Sequence, residues 1–177
     1  MSTLARLAAF QRPTIAARDR RPEGTEGNRG FTVTNTTDGG AEIWLYDEIG
    51  GWGIWAQDVV DQLQQITAST ITVRVSSPGG DVFDGIAIAN ALASHPAHVT
   101  VQVDSLAASI ASVIAVSAGD RILMAPNSQM MIHNASGGCR GEAGDMRKMA
   151  DLLDKIGAVI AQRTRTVPVG TSPSGRP

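Results

Sequence analysis

The sequence predicts an α/β fold, a parallel sheet with flanking helices, and three observations carry that expectation. Runs rich in β-branched or aromatic residues, EIWLYD (42–47), ITVRVS (71–76) and HVTVQVD (98–104), alternate with segments whose apolar residues recur at helical spacing. Strands and helices follow one another at about ten- to fifteen-residue intervals, the pattern of right-handed crossovers over parallel strands. The composition is 42% hydrophobic but only 4% aromatic, so the core is aliphatic, and 177 residues suffice for one sizeable core.

The elements follow in order. Residues 1–30 are rich in Arg, Gly, Pro and Thr without apolar periodicity and read as a mobile N-terminal arm. Their Arg-bearing, acid-poor start faintly resembles an organelle transit peptide, and its apolar patch is too short for a signal-peptide core. Order is expected from Phe31. After the strand at 42–47, the Gly-rich EIGGWG (48–53) reads as a turn. Trp55, Val59, Leu63 and Ile66 then predict a helix over 54–67. The strand ITVRVS leads through the tight turn SPGGD (77–81) into a helix, FDGIAIANALAS (83–94). HVTVQVD is followed by an apolar helix expected to start near Ser105. RILM (121–124) and QMMIH (129–133) read as short strands around the turn APNS. From Glu142 to Arg163 a helix carries Met146, Met149, Leu153, Ile156 and Ile160 on one stripe. Residues 163–177 read as an irregular polar tail, leaving 31–162 as the folded domain.

Charge and composition exclude several functions. Six basic residues stand against fourteen acids in 31–162, a net of −8 (6 − 14), while the ends hold the other nine basic residues. An acidic body argues against a nucleic acid partner. The longest uncharged apolar run, Ser105–Gly119, is too short to span a bilayer, so no membrane partner is expected. The single cysteine, Cys139, excludes an internal disulfide framework and a cysteine-rich zinc site, and it fits a reducing cytoplasmic location.

Two strand ends can carry chemistry, because helix N-termini in this architecture aim free N–H groups there. SPGGD holds Gly79 and Gly80, which permit positive φ or close approach of another chain, though most such pairs simply make a turn. SLAASIAS (105–112) places Ser109 near a helix start, beside the free N–H of Ile110. Small serines in such a run also serve merely to let a helix pack closely. A nucleophilic serine needs a base. His95 and His98 bracket the polar turn SHPAH and read as surface residues, whereas His133 ends an apolar strand.

The segments SPGGDVFDGIAI, VDSLAASIASVIAVSAGD and APNSQMMIHNASGG together resemble the ClpP-like serine peptidase family, in particular its phage head maturation protease branch. Order and interval agree as well, with 29 residues from Gly80 to Ser109 and 24 from Ser109 to His133. The resemblance covers about 31–162. It implies a spiral of β-β-α units of the ClpP/crotonase type with a long handle helix. It also implies Ser109 as nucleophile, His133 as general base, the N–H groups of Gly80 and Ile110 as oxyanion hole, and Gly79 as substrate-binding. The reaction implied is peptide-bond hydrolysis without metal or cofactor. The implied partners are a protein or peptide substrate, a homo-oligomeric ring meeting through 146–160, and an AAA+ ATPase or capsid proteins. The location is the cytoplasm, or the host cytoplasm for a phage protein.

One feature departs from that pattern. The family's third triad member is an acid after the handle helix, yet 155–177 contains no Asp or Glu. The tail reads as though the frame or the chain ended early. Asp145, Asp151 and Asp154 are expected on the helix's solvated face, and none is assigned as the triad acid. A catalytically impaired ring subunit with an assembly role is therefore a rival to the active peptidase. A crotonase-type acyl-CoA enzyme shares the fold and the paired N–H hole, but Ser109 and His133 at family spacing favour peptidase chemistry. No GxSxG elbow is present, since Ala107 and Ala111 flank Ser109, which disfavours a lipase or esterase.

Overall fold

The computed structural model describes residues 30–163 and 169–171. The expected arm at 1–30 lies outside the described residues except for Gly30, as does most of the expected tail. The strands are β1 (Phe31–Asn35), β2 (Ala41–Leu45), β3 (Thr70–Ser77), β4 (His98–Ala108), β5 (Arg121–Met124), β6 (Gln129–Met131) and β7 (Val169–Thr171). The helices are α1 (Ala56–Leu63), α2 (Val82–Ala93), α3 (Ile110–Ala118) and α4 (Ala143–Arg163). Among the described residues the sheet runs β1-β2-β3-β4-β5-β7, with β6 paired to β4. β1 is antiparallel to β2, and every other pairing is parallel. The α/β architecture expected from the sequence is the one observed. A short strand, β7, pairs with β5 inside the stretch read as irregular tail.

Strand alternation divides the sheet into two faces. Ile43 and Leu45, Ile71, Val73 and Val75, and Val99, Val101 and Val103 point into one core. They meet Val59 and Leu63 of α1, Ile88 and Leu92 of α2, and Val113 and Ile114 of α3 there. The helix α1 is shorter than the spacing implied. Trp55 is extended (φ −93°, ψ 140°) and Ile54 bridges to Ile49, while Gln65 and Ile66 turn back on Gln62 and Leu63. Ile66 still packs against the core.

The opposite face carries a polar and aromatic network. Asp104 accepts from Arg74 Nε at 2.8 Å and Nη2 at 2.6 Å, from Tyr46 Oη at 2.6 Å and from Gln102 Nε2 at 2.8 Å. The Arg74 guanidinium lies 4.5 Å above the Trp44 ring, and Trp44 meets Tyr46 edge-on at 5.2 Å. Burial favours the protonated Asp104 carboxyl, but the bonds from Arg74, Tyr46 and Gln102 outweigh it, so its pKa lies below the ordinary value. Burial, then the bond to Asp104, pushes the Tyr46 phenol up to about 12.

The expected boundary near Ser105 is corrected. β4 continues through Ser105–Ala108, and α3 starts at Ile110. An Ala-rich run has helical preference, but Ala107 pairs with Ser77 of β3 while Leu106, Ala107 and Ala108 pair with Gln129, Met130 and Met131 of β6. These ladders satisfy backbone groups that a helix would otherwise have to satisfy internally.

The network generates a prediction. Asp104→Asn removes the charge that four donors share and should cost about 1–3 kcal/mol at pH 7 by denaturant unfolding. Because the folded pKa lies below the unfolded one, the contribution is present above about pH 4 and fades as pH falls through the folded value. The gap between wild type and variant should therefore narrow at about pH 3, and an unchanged gap there would contradict the charge-based account.

Candidate active site

Ser109 follows the last residue of β4 and adopts φ 54°, ψ −126°. Positive φ at a residue with a Cβ costs about 1–3 kcal/mol and persists only where neighbours enforce it. Its N–H donates to the Met131 carbonyl at 2.9 Å. Its carbonyl accepts from the Ser112 N–H at 3.0 Å and from Ser112 Oγ at 2.5 Å. The three serines of SLAASIAS thus divide by environment: Ser105 is exposed, Ser109 half-buried and Ser112 fully buried.

His133 arrives by register. β6 runs parallel to β4 with Met131 opposite Ala108, so both chains leave the sheet at the same end. Two residues beyond β6, the His133 ring turns back and places Nε2 2.8 Å from Ser109 Oγ. The ring is exposed, and among the described residues no hydrogen bond joins it to a carboxylate.

The turn after β3 supplies the third side. Gly79 has φ +95°, and a Cβ there would stand 2.6 Å from both the Ala108 carbonyl oxygen and Ser109 Cβ. The same atom would lie 3.2 Å from the Ile110 nitrogen, so the glycine keeps that N–H open. Ile110 is the first residue of α3, and its N–H has no acceptor within the helix. Gly80 has φ +145° and bridges to Ile49 in parallel fashion. Ile49 donates to the Gly79 carbonyl at 2.8 Å and accepts from Asp81 at 2.7 Å, a pattern that directs Gly80's own N–H to the other side. Asp81 caps α2, accepting from Phe83 N–H at 2.8 Å and Asp84 N–H at 3.0 Å, which anchors the far end of the turn.

The structure therefore brings together the five residues singled out in the sequence: Ser109, His133, Gly79, Gly80 and Ile110. An imidazole nitrogen at this distance from a hydroxyl can take its proton, and paired backbone N–H groups can stabilise a developing oxyanion. The other histidines stay apart. His95 Nδ1 accepts the Ala97 N–H at 3.1 Å, and the His98 ring lies 3.1 Å from Asp120 at the start of β4. Asp145 bonds the Glu142 N–H and Lys148, while Asp151 and Asp154 are exposed. Among the described residues no group of three or more His, Cys, Asp or Glu is placed to hold a metal, and no helix is long and apolar enough to cross a membrane.

Two contributors escaped the sequence reading. Ile49, inside a Gly-rich turn, steers Gly80 by main-chain bonds that leave no trace in residue type. Ser112 was one serine among several; its sole signal is its place three residues after Ser109, the distance at which a helical hydroxyl reaches a carbonyl.

The chain is thus an α/β protein whose mostly parallel sheet brings a serine and a histidine together where two adjacent strands end. The Clp protease family model matches residues 25–167, and the chain belongs to that family. A solved structure of a ClpP1 mutant from Listeria monocytogenes superposes with a TM-score of 0.56 at 25% identity, covering 67% of this chain and 66% of that one. The chain thus spans just under two thirds of the length of that ClpP1.

The close contact at Gly79 is directly testable. Gly79→Ala combines an unfavourable φ with a methyl group against the Ala108 carbonyl, and it should destabilise the fold by about 1–3 kcal/mol or more. Thermal unfolding at the wild-type midpoint would show that the turn has room the distances deny.

Proposed function

We propose that the chain is a serine endopeptidase of the ClpP type, and the observation that carries the reading is the 2.8 Å contact between His133 Nε2 and a strained Ser109. His133 takes the hydroxyl proton as Ser109 Oγ attacks the peptide carbonyl. The Gly80 and Ile110 N–H groups receive the negative oxygen, and the imidazolium returns its proton to the leaving amine. Water then attacks the acyl-enzyme with the same base. Gly79 lets a substrate backbone come close to the serine. Acyl-CoA chemistry gives no reason for a serine–histidine pair, so the crotonase-type reading is disfavoured.

The motif wording supports the phage head maturation branch, with capsid proteins as substrates and a homo-oligomeric ring as the working form. On α4, Ile156 and Ile160 pack into the domain core, while Met146, Leu152 and Val159 stay exposed and suit contact with another subunit.

A second reading, an impaired subunit, is supported by the acids. Among the described residues no carboxylate bonds His133. In serine proteases, loss of the residue that orients the histidine costs about 10⁴-fold in turnover and leaves a residual rate. The expected behaviour is labelling of Ser109 by a fluorophosphonate, absent in a folded Ser109→Ala variant, alongside slow turnover of peptide esters. Equal labelling of the alanine variant would remove Ser109 from the mechanism. Vigorous turnover abolished by Asp151→Asn or Asp154→Asn would show that α4 supplies the acid.

A further inference from the structure

We infer that Ser112 is a positioning residue of the oxyanion hole: it holds the Ser109–Ile110 peptide plane so that the Ile110 N–H faces the reacting carbonyl. The inference rests on the reading of Ser109 as nucleophile. A trans peptide is planar, and its C=O and N–H point in opposite directions. The Ser109 carbonyl and the Ile110 N–H are the two ends of one such plane. Whatever grips the carbonyl aims the amide.

Ser112 grips that carbonyl twice, through its N–H at 3.0 Å and its Oγ at 2.5 Å. The first bond is what any helix start provides. The hydroxyl bond is additional, and it comes from a side chain with no exposed surface. It acts where the plane most needs restraint, because Ser109 is held at φ 54° and rotation of the adjoining plane is one route to relief. On the other side of the plane, Gly79 leaves the Ile110 N–H uncovered. A buried serine that merely satisfied itself on a carbonyl three residues back would contribute stability and nothing to the chemistry of the folded protein.

The test compares these two roles in the 177-residue chain. The readouts are the second-order rate of fluorophosphonate labelling at Ser109 and the affinity for a peptide aldehyde relative to the matching alcohol. The aldehyde forms an oxyanion on Ser109 and the alcohol does not. Loss of an oxyanion donor costs about 10²–10³-fold, so loosening one should slow labelling of Ser112→Ala about ten-fold. Aldehyde affinity should fall with it, with alcohol affinity and the pH profile of labelling unchanged. Ser112→Thr restores the hydroxyl and should recover labelling to within about three-fold of wild type, even though its extra methyl lowers the melting temperature at a fully buried site. If the threonine variant does not fold, the alanine comparison decides alone. Wild-type labelling and an unchanged aldehyde-to-alcohol ratio in Ser112→Ala would overturn the inference and leave the peptidase reading intact. A wild-type chain not labelled at Ser109 would overturn that reading, and the inference with it.

Discussion

β4 is shared lengthwise between two partners on one edge, and the site exists because of that sharing. Its first half, Thr100–Val103, pairs with β5, and its last residues, Leu106–Ala108, pair with β6. On its other edge β3 pairs with His98–Val103 and again at Ala107, and between the Val75–Val103 and Ser77–Ala107 pairs β4 advances four residues while β3 advances two. That irregularity is where β4 passes from one partner to the other. Without β6 in register, Ser109 would lose the Met131 carbonyl that holds its N–H, and His133 would have no path to the hydroxyl. The same pairing ends the strand so abruptly that Ser109 must take a positive φ to enter α3.

Strain of that kind needs a rigid surround. The core beneath the sheet is almost wholly aliphatic, with Val, Ile and Leu in β3 and β4 meeting small and branched residues of the helices. Such packing tolerates little displacement. The other face is stiffened differently, by an Asp104 carboxylate gathering donors from Tyr46 just past β2, from β3 and from its own strand. Asp104 sits in the β4 segment where the register shifts, so the network ties the irregular segment to its neighbours.

The long helix shows how one apolar stripe serves two purposes. Its C-terminal part enters the domain core through Ile156 and Ile160. Nearer its start, Met149 and Leu153 stand close to Gly137, and Met146 Sδ lies 3.3 Å from Cys139 Sγ, so the chain leaving His133 runs along the helix. Part of the stripe that the sequence assigns to a partner subunit is covered by the chain's own 137–139 segment. The helix thereby steadies the strand end that carries the histidine, while its acids, Asp145, Asp151 and Asp154, bond locally or face solvent.

The sequence by itself determined the fold class, the core and the identity of the groups that meet. Those follow from local quantities: alternation in ITVRVS and HVTVQVD, helical spacing in α1 and α4, and glycines where a turn needs them. Motif order and spacing added which serine and which histidine to choose. What the sequence did not settle is where β4 ends, since SLAAS suits a strand or a helix and only the ladders to β3 and β6 decide between them. Nor did it reveal that Ile49 directs Gly80 or that Ser112 secures the Ser109 carbonyl. Both act through main-chain groups common to every residue, and only tertiary structure decides which of those groups face one another.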